Sequence, residues 1–265
     1  MSAPPESQLT SRPRVVLLGA SNLTRGISTA VGIAQAILGT PLELLIAMGH
    51  GRSYGQRSRV LGRSLPGIVD CGLWDALPNG GGGPTYALLT DIGNDVMYGT
   101  SVPSILGWIQ TCMDRLLGAQ ARIAMTLLPM AGIKQLSRWR YEVARTLLFP
   151  GTQLSQADAV STATQLNDRL RELGHERGVD LIEPEARWYG LDPVHIRRSL
   201  LPVAWACMMD EWMTDRQVQP RVSSSLRRWL TLRLATPQQW WLLNRELRRE
   251  QPAKRLRDGT TVSLY

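Results

Sequence analysis

Up to residue 182, short apolar runs alternate with stretches of helical spacing. Val15-Val16-Leu17-Leu18 is unbroken and stops at Gly19. This is the pattern of a strand buried on both faces. Leu42–Met48, Thr85–Thr90, Ile123–Leu128 and Val179–Ile182 repeat it. Thr24 stands in a capping position for a helix reaching Leu38, and Gly39 with Pro41 ends it. A second helix is expected from Pro103 to about Leu117. A third spans Ala159 to Glu176, with Val160, Ala163, Leu166, Leu170 and Leu173 on one face and Gly178 past its end. The loops Gly49–Gly55 and Asn79–Pro84 are too glycine-rich for regular structure. Short apolar strands joined by crossover helices predict a parallel, doubly wound sheet covered on both faces.

The pattern changes at Met213. Ser223–Leu234 carries Leu226, Trp229, Leu230 and Leu234 at helical spacing. Thr236-Pro237-Gln238-Gln239 reads as a second helix start, with Trp240, Leu243 and Leu247 opposite Arg245, Arg248 and Arg249. Three segments follow: a polar arm over 1–13, a body over 14–212, and a basic amphipathic helical extension over 213–265.

Charge sharpens this division. The net charge is +8. Residues 213–265 hold 11 Lys/Arg against 4 Asp/Glu, a net of +7, so the body is nearly neutral. The expectation is that the apolar face of the extension packs back on the body, with a homo-oligomer contact as its further use. The arginines are interleaved with leucines and no recognised nucleic-acid motif surrounds them, so no nucleic-acid partner is expected. No apolar run approaches the roughly 18 residues of a spanning helix, and stable membrane insertion is not expected. The first residues lack the apolar core of an export signal, which points to a cytoplasmic address. Cys71, Cys112 and Cys207 show no pairing or metal spacing and read as small buried residues. Trp74, Trp108, Trp139, Trp188 and Trp205 read as core.

In an open parallel sheet, chemistry collects on the loops after the strands. After the first strand comes Gly19-Ala20-Ser21-Asn22, where a serine hydroxyl can stand at a helix N-terminus. After the second comes the glycine loop with Gly51. After the third comes Asp91-Ile92-Gly93-Asn94-Asp95, whose amide side chain can donate to an oxyanion. After the fifth comes Asp192-Pro193-Val194-His195. A serine nucleophile needs a base, and the chain has only His50, His175 and His195. His195 lies three residues beyond a carboxylate that can orient its ring. His175 falls at a helix end, as a solvated residue. His50 is either a second contact near the serine or a loop residue. Taken singly, Ser21 also reads as a helix cap, Asn94-Asp95 as a turn, and Asp192-Pro193 as a turn.

Together, and in this order, Gly19-Ala20-Ser21, the loop with Gly51, Gly93-Asn94-Asp95 and Asp192-x-x-His195 resemble the four blocks of the SGNH (GDSL-type) hydrolases. Gln165–Leu170 and Gly178–Ile182 look like the helix and strand before the last block. The resemblance covers residues 14 to 212. It implies an α/β, flavodoxin-like three-layer α/β/α sandwich with a five-stranded parallel sheet, and no metal or organic cofactor. It implies Ser21 as nucleophile, His195 as base, Asp192 as its orienter, and an oxyanion hole made of Ser21, Gly51 and Asn94. The substrate implied is an ester or acetyl group of a small molecule or carbohydrate. Two positions depart from the family pattern: Ala20 stands where an Asp is usual, and Gly93 is adjacent to Asn94 rather than two residues before it.

Two other readings compete. One is an SGNH-like domain used for binding rather than catalysis. The other is a nucleotide-binding oxidoreductase suggested by Leu18-Gly19-Ala20-Ser21-Asn22-Leu23-Thr24-Arg25-Gly26. Against the second, the next strand ends in Met48-Gly49 instead of an acid, and Lys134 and Tyr141 are in the wrong order for a Tyr-x-x-x-Lys pair.

Overall fold

Alternate side chains of the strand Arg14–Leu18, β1, enter two separate hydrophobic cores. Val16 and Leu18 join one, Val15 and Leu17 the other. The computed structural model describes residues 12–60, 62–77, 83–134, 136–148, 151–190, 192–213 and 225–265. Most of the loop around Gly80 and of the arm over 1–13 lies outside them.

Following β1 are α1 (Ser21–Leu38), β2 (Glu43–Ala47), β3 (Ser58–Val60), β4 (Arg63–Leu65), α2 (Leu73–Ala76) and β5 (Thr85–Leu89). Then come α3 (Asn94–Met97), α4 (Val102–Gly118), β6 (Ala121–Thr126), α5 (Met130–Lys134), α6 (Arg138–Leu148) and α7 (Gln156–Glu176). The chain continues through β7 (Asp180–Ile182), α8 (Leu201–Met208), α9 (Leu226–Arg233), β8 (Gln239–Leu242), β9 (Arg245–Arg248), β10 (Lys254–Arg255) and β11 (Thr261–Leu264).

The five expected strands form a parallel sheet in the order β2-β1-β5-β6-β7. Counted along the chain, this is the 2-1-3-4-5 order of flavodoxin-like folds. Helices α4 and α7 carry Ile105, Ile109, Leu166 and Leu170 into one core. Helices α1 and α8 bring Leu23, Ile27, Ala204 and Trp205 into the other. The molecule is thus the three-layer α/β/α sandwich expected from the sequence.

The C-terminal segment departs from expectation. The sheet has seven strands, because β11 adds parallel to β2 and β10 pairs antiparallel with β11. All four residues of β11 are buried, so it covers the edge that β2 would otherwise expose. The helix expected from Thr236 is instead the hairpin β8–β9, joined through Leu243 and Asn244 at φ 47° and 67°. Two successive positive φ values define a tight two-residue turn, which Asn tolerates. β8 then pairs with β4, making a second, antiparallel sheet in the order β3-β4-β8-β9. Pairing with a strand nearly 180 residues earlier overrides the helical spacing of Trp240, Leu243 and Leu247.

α9 forms as expected but packs by a different face. Leu232 is buried, whereas Leu226, Trp229, Leu230 and Leu234 are exposed. Two smaller corrections follow. Cys207 is exposed while Cys71 and Cys112 are buried. Trp139 lies exposed on α6, whereas Trp188 and Trp205 are fully buried. Among the described residues, no helix is long and apolar enough to cross a membrane.

Candidate active site

Strands β1 and β5 are neighbours from which the chain departs in opposite directions across the sheet. Ligands of doubly wound folds bind at that switch point, beyond the carboxyl ends of the strands. Ser21 follows β1 as the first residue of α1, and Asn94 follows β5 as the first residue of α3.

Helix α1 begins a turn earlier than Thr24 would set it. Its N-cap, Ala20, makes no side-chain cap bond. The cap comes from Asp91, 71 residues away from Ala20. One Asp91 oxygen accepts from the amides of Ala20 at 2.8 Å, Asn22 at 3.0 Å and Leu23 at 3.3 Å. A carboxylate at a helix N-terminus satisfies donors that have no partner in the helix and is favoured by the dipole. The Ser21 amide is not among those it takes. Asp91 adopts φ 60°, an unusual value for a residue with a side chain, of the kind concentrated at functional sites. Where the family pattern has Asp at position 20, this chain supports the serine turn through Asp91.

The segment after β7 delivers the base. Ser21 Oγ lies 2.9 Å from His195 Nε2. His195 Nδ1 lies 2.7 Å from Asp192 Oδ2. The other Asp192 oxygen accepts from the amides of Val194 at 3.0 Å and His195 at 3.1 Å. Burial works against the Asp192 charge, but the His195 ring and these two amides outweigh it, so the carboxyl is held below its ordinary value. Ser21, Asp192 and His195, named from the sequence, are therefore in one hydrogen-bonded line.

Asn22 fastens this line together. Its Nδ2 donates to Asp91 Oδ1 at 2.8 Å and to the Val194 carbonyl at 3.0 Å. Its Oδ1 accepts from the Ile196 amide at 2.9 Å. The segment carrying His195 is thus pinned to the turn carrying Ser21. The sequence reading missed this residue, and its only signal was adjacency to Ser21.

The Gly51 turn is held from two directions. Gly51 has φ +60°, and a Cβ there would lie 2.8 Å from Tyr98 Oη. Only glycine combines that backbone with that approach. The Tyr98 hydroxyl donates to the Gly51 carbonyl, which fixes the peptide plane. Asp95, fully buried, accepts from the Ser53 hydroxyl and from the Tyr54 amide at 2.9 Å, anchoring the same loop. Burial raises its carboxyl to about 6 against these two bonds. Tyr98 and Asp95 are further residues the sequence reading gave no role.

Asn94 is buried, and its Nδ2 has no hydrogen-bond partner among the described residues. A buried donor without a partner costs about 1–3 kcal/mol and calls for an explanation. A cavity of about 130 Å³ opens beside Asn94 and Asn22, lined mainly by apolar groups such as Val96, Leu128, Ile133, Ala163 and Val194. His50 is exposed on the Gly51 loop. His175 is exposed on the last turn of α7, as expected. Among the described residues, no group of three or more His, Cys, Asp or Glu is arranged to hold a metal ion.

No protein-family model matches the chain, and no curated protein matches it. Among solved structures, it resembles a carbohydrate acetylesterase family member from Sinorhizobium meliloti, with a TM-score of 0.50 at 13% identity over 75% of this chain and 96% of that one. An M. smegmatis aryl esterase gives a TM-score of 0.48 at 13% identity over 75% and 97% of the two chains. A GDSL-like lipase from Bacteroides thetaiotaomicron gives 0.47 at 15% identity over 80% and 91%. With the sheet order above, the first of these likenesses establishes an SGNH hydrolase-like fold.

Proposed function

We propose that this chain is a serine hydrolase that cleaves an ester through an acyl-enzyme on Ser21. The observation that carries the reading is the line Ser21–His195–Asp192, at 2.9 Å and 2.7 Å. Its roles follow from chemistry. His195 Nε2 takes the Ser21 proton as Oγ bonds to the carbonyl carbon. The carbonyl π pair moves to oxygen, and that anion meets the Ser21 and Gly51 amides and the Asn94 side chain. Collapse breaks the bond to the alcohol oxygen, which leaves with the proton from His195. Water, deprotonated by the same ring, then attacks the acyl-enzyme and frees Ser21. Asp192 holds the ring and stabilises its cationic form.

The unpartnered Asn94 donor supports this reading, because the group that would satisfy it exists only during the reaction. The 130 Å³ cavity suits the acyl part. An apolar cavity of about 150 Å³ accommodates a benzene ring. An aryl or short alkyl acyl group would therefore fill it, whereas acetyl would leave it largely empty.

The test is labelling with a fluorophosphonate, together with turnover of p-nitrophenyl esters of increasing acyl length. The wild-type chain takes the label and turns over esters, and Ser21→Ala does neither. Labelling that survives Ser21→Ala overturns the assignment. A folded wild-type chain without label or turnover is the outcome belonging to a binding protein.

A further inference from the structure

The two sides of Ser21 differ in chemistry. The apolar cavity lies among residues that follow β5, β6 and β7. On the other side of β1 lies β2, with the Gly51 loop, and there Arg25, Arg63 and Arg233 act on one ring, that of His50.

Arg25 is four residues beyond Ser21 in α1, one turn along the same face. Arg63 is the cross-strand partner of Val60. Val60 Cγ2 lies 3.1 Å from where Gly51 would carry a Cβ. Cross-strand partners project from one face of a sheet, so Arg63 shares the face that meets the Gly51 turn. Arg233 ends α9, which is tied to α1 by the 2.9 Å bond from Arg228 Nε to the Ser28 carbonyl. Arg63 and Arg233 stand over tryptophan rings, with Cζ 5.9 Å from Trp240 and 5.3 Å from Trp229. Ring contact steadies a guanidinium and leaves its N–H edges available.

Among the described residues, none of these three arginines pairs with a carboxylate, whereas Arg14, Arg145, Arg169 and Arg177 each hold one. All three act on His50, on the Gly51 loop. Its ring is kept below its ordinary value first by partial burial and then by nearby positive charge, to which the guanidiniums of Arg25, Arg233 and Arg63 all contribute.

We propose that Arg25, Arg63 and Arg233 form an anion subsite on the β2 side of Ser21, and that the ester cleaved there carries a carboxylate or phosphate on its alcohol part. This rests on the hydrolase reading. The acyl group enters the cavity on the β5 side, and the charged alcohol lies across the arginines. A guanidinium fork suits either oxyanion through paired N–H bonds. Clustered positive charge also raises the local concentration of an anionic substrate.

Matched esters test this: 4-butyryloxybenzoate, its neutral analogue 4-butyryloxybenzamide, and 4-butyryloxyphenyl phosphate. Rates are corrected for spontaneous hydrolysis of each. In the wild-type chain kcat/KM for at least one anionic ester exceeds that for the neutral one by about tenfold or more, the worth of one charge-assisted bond. The excess shrinks as salt is added. Arg25→Gln, Arg63→Gln and Arg233→Gln each lower the anionic-to-neutral ratio, and Arg169→Gln, remote on α7, leaves it unchanged. Whichever anionic ester is preferred identifies the group recognised. Equal rates for charged and neutral esters overturn the proposal, as does a preference that survives all three substitutions. No turnover of any of the three, with no phosphonate label on Ser21, overturns the hydrolase reading itself.

Discussion

Asn22 and Asp91 are joined side chain to side chain at 2.8 Å, and through this contact the cap of α1 is coupled to the segment that carries His195. Neither residue takes part in the proton line. Both determine where its members stand. Asn22→Ala is predicted to leave the Ile196 amide unpaired and the Val194 carbonyl and Asp91 Oδ1 each short of a donor. Unpaired buried groups cost about 1–3 kcal/mol each, so the melting temperature falls by several degrees. The larger effect is on kcat, about 100-fold, because an ångström of drift in the base is enough. KM changes less. A variant with normal kcat and only a lower Tm would restrict Asn22 to a structural role.

Asn94→Ala removes the unpartnered donor. Losing one oxyanion donor costs about 2.7–4 kcal/mol in the transition state. The expected signature is a drop in kcat with KM nearly constant, since full negative charge exists only in the tetrahedral intermediate. The melting temperature should hold or rise, because Nδ2 is buried without a partner in the folded chain. An effect confined to KM would make Asn94 a ground-state contact.

These two asparagines differ in how visible they are from sequence. Asn94 sits in a block whose order relative to Ser21, Gly51 and His195 is itself information. Asn22 acts on residues about 70 and 172 positions away, and nothing local marks it. The five parallel strands were legible because each is a run buried on both faces. β8 and β9 were not, because Trp240, Leu243 and Leu247 satisfy a helical period as well as a hairpin. What decides between them is pairing with β4, a contact that no local window contains. The cap of α1 was misplaced for the same reason: Thr24 is a local signal, Asp91 a distant one. Thr24 is inside the helix, with its hydroxyl on the Ala20 carbonyl at 2.7 Å.

Asp95 gives stability a pH dependence with a definite sign. Its carboxyl titrates at about 6 in the folded chain, against 3.8 for the free group. The folded state therefore binds the proton more tightly than the unfolded one. Stability falls as pH rises from about 4 to about 6, and this group adds no further change above that. A difference of about two pH units corresponds to about 3 kcal/mol. Asp95→Asn should flatten the dependence of Tm on pH across that window, while the amide oxygen can still accept from Tyr54. A variant whose Tm varies with acid as the wild type does would mean that other groups set the slope.

The C-terminal strand makes the last prediction. β11 lies parallel to β2, with Val262, Leu264 and Tyr265 buried and the Arg52 guanidinium, itself fully buried, donating to the Tyr265 carbonyl. Deleting residues 250–265 leaves Ser21, Asn94, Asp192 and His195 in the chain. It also bares the edge of β2 and removes an acceptor from a charge that cannot reach water. Burial of the three side chains is worth about 1.5–3 kcal/mol each. Their sum is comparable to the whole stability of an ordinary domain, about 5–15 kcal/mol. The shortened chain should therefore be insoluble or unfolded despite an intact set of catalytic candidates, and the free β2 edge should drive it to aggregate. A milder variant, Val262→Asp, isolates the packing contribution: it keeps the backbone pairing with β2 but places a charge in the core, and it should lower Tm steeply with kcat per folded molecule little changed. If the deletion variant stays soluble and melts with the full chain, β11 is not a strand of the folded sheet.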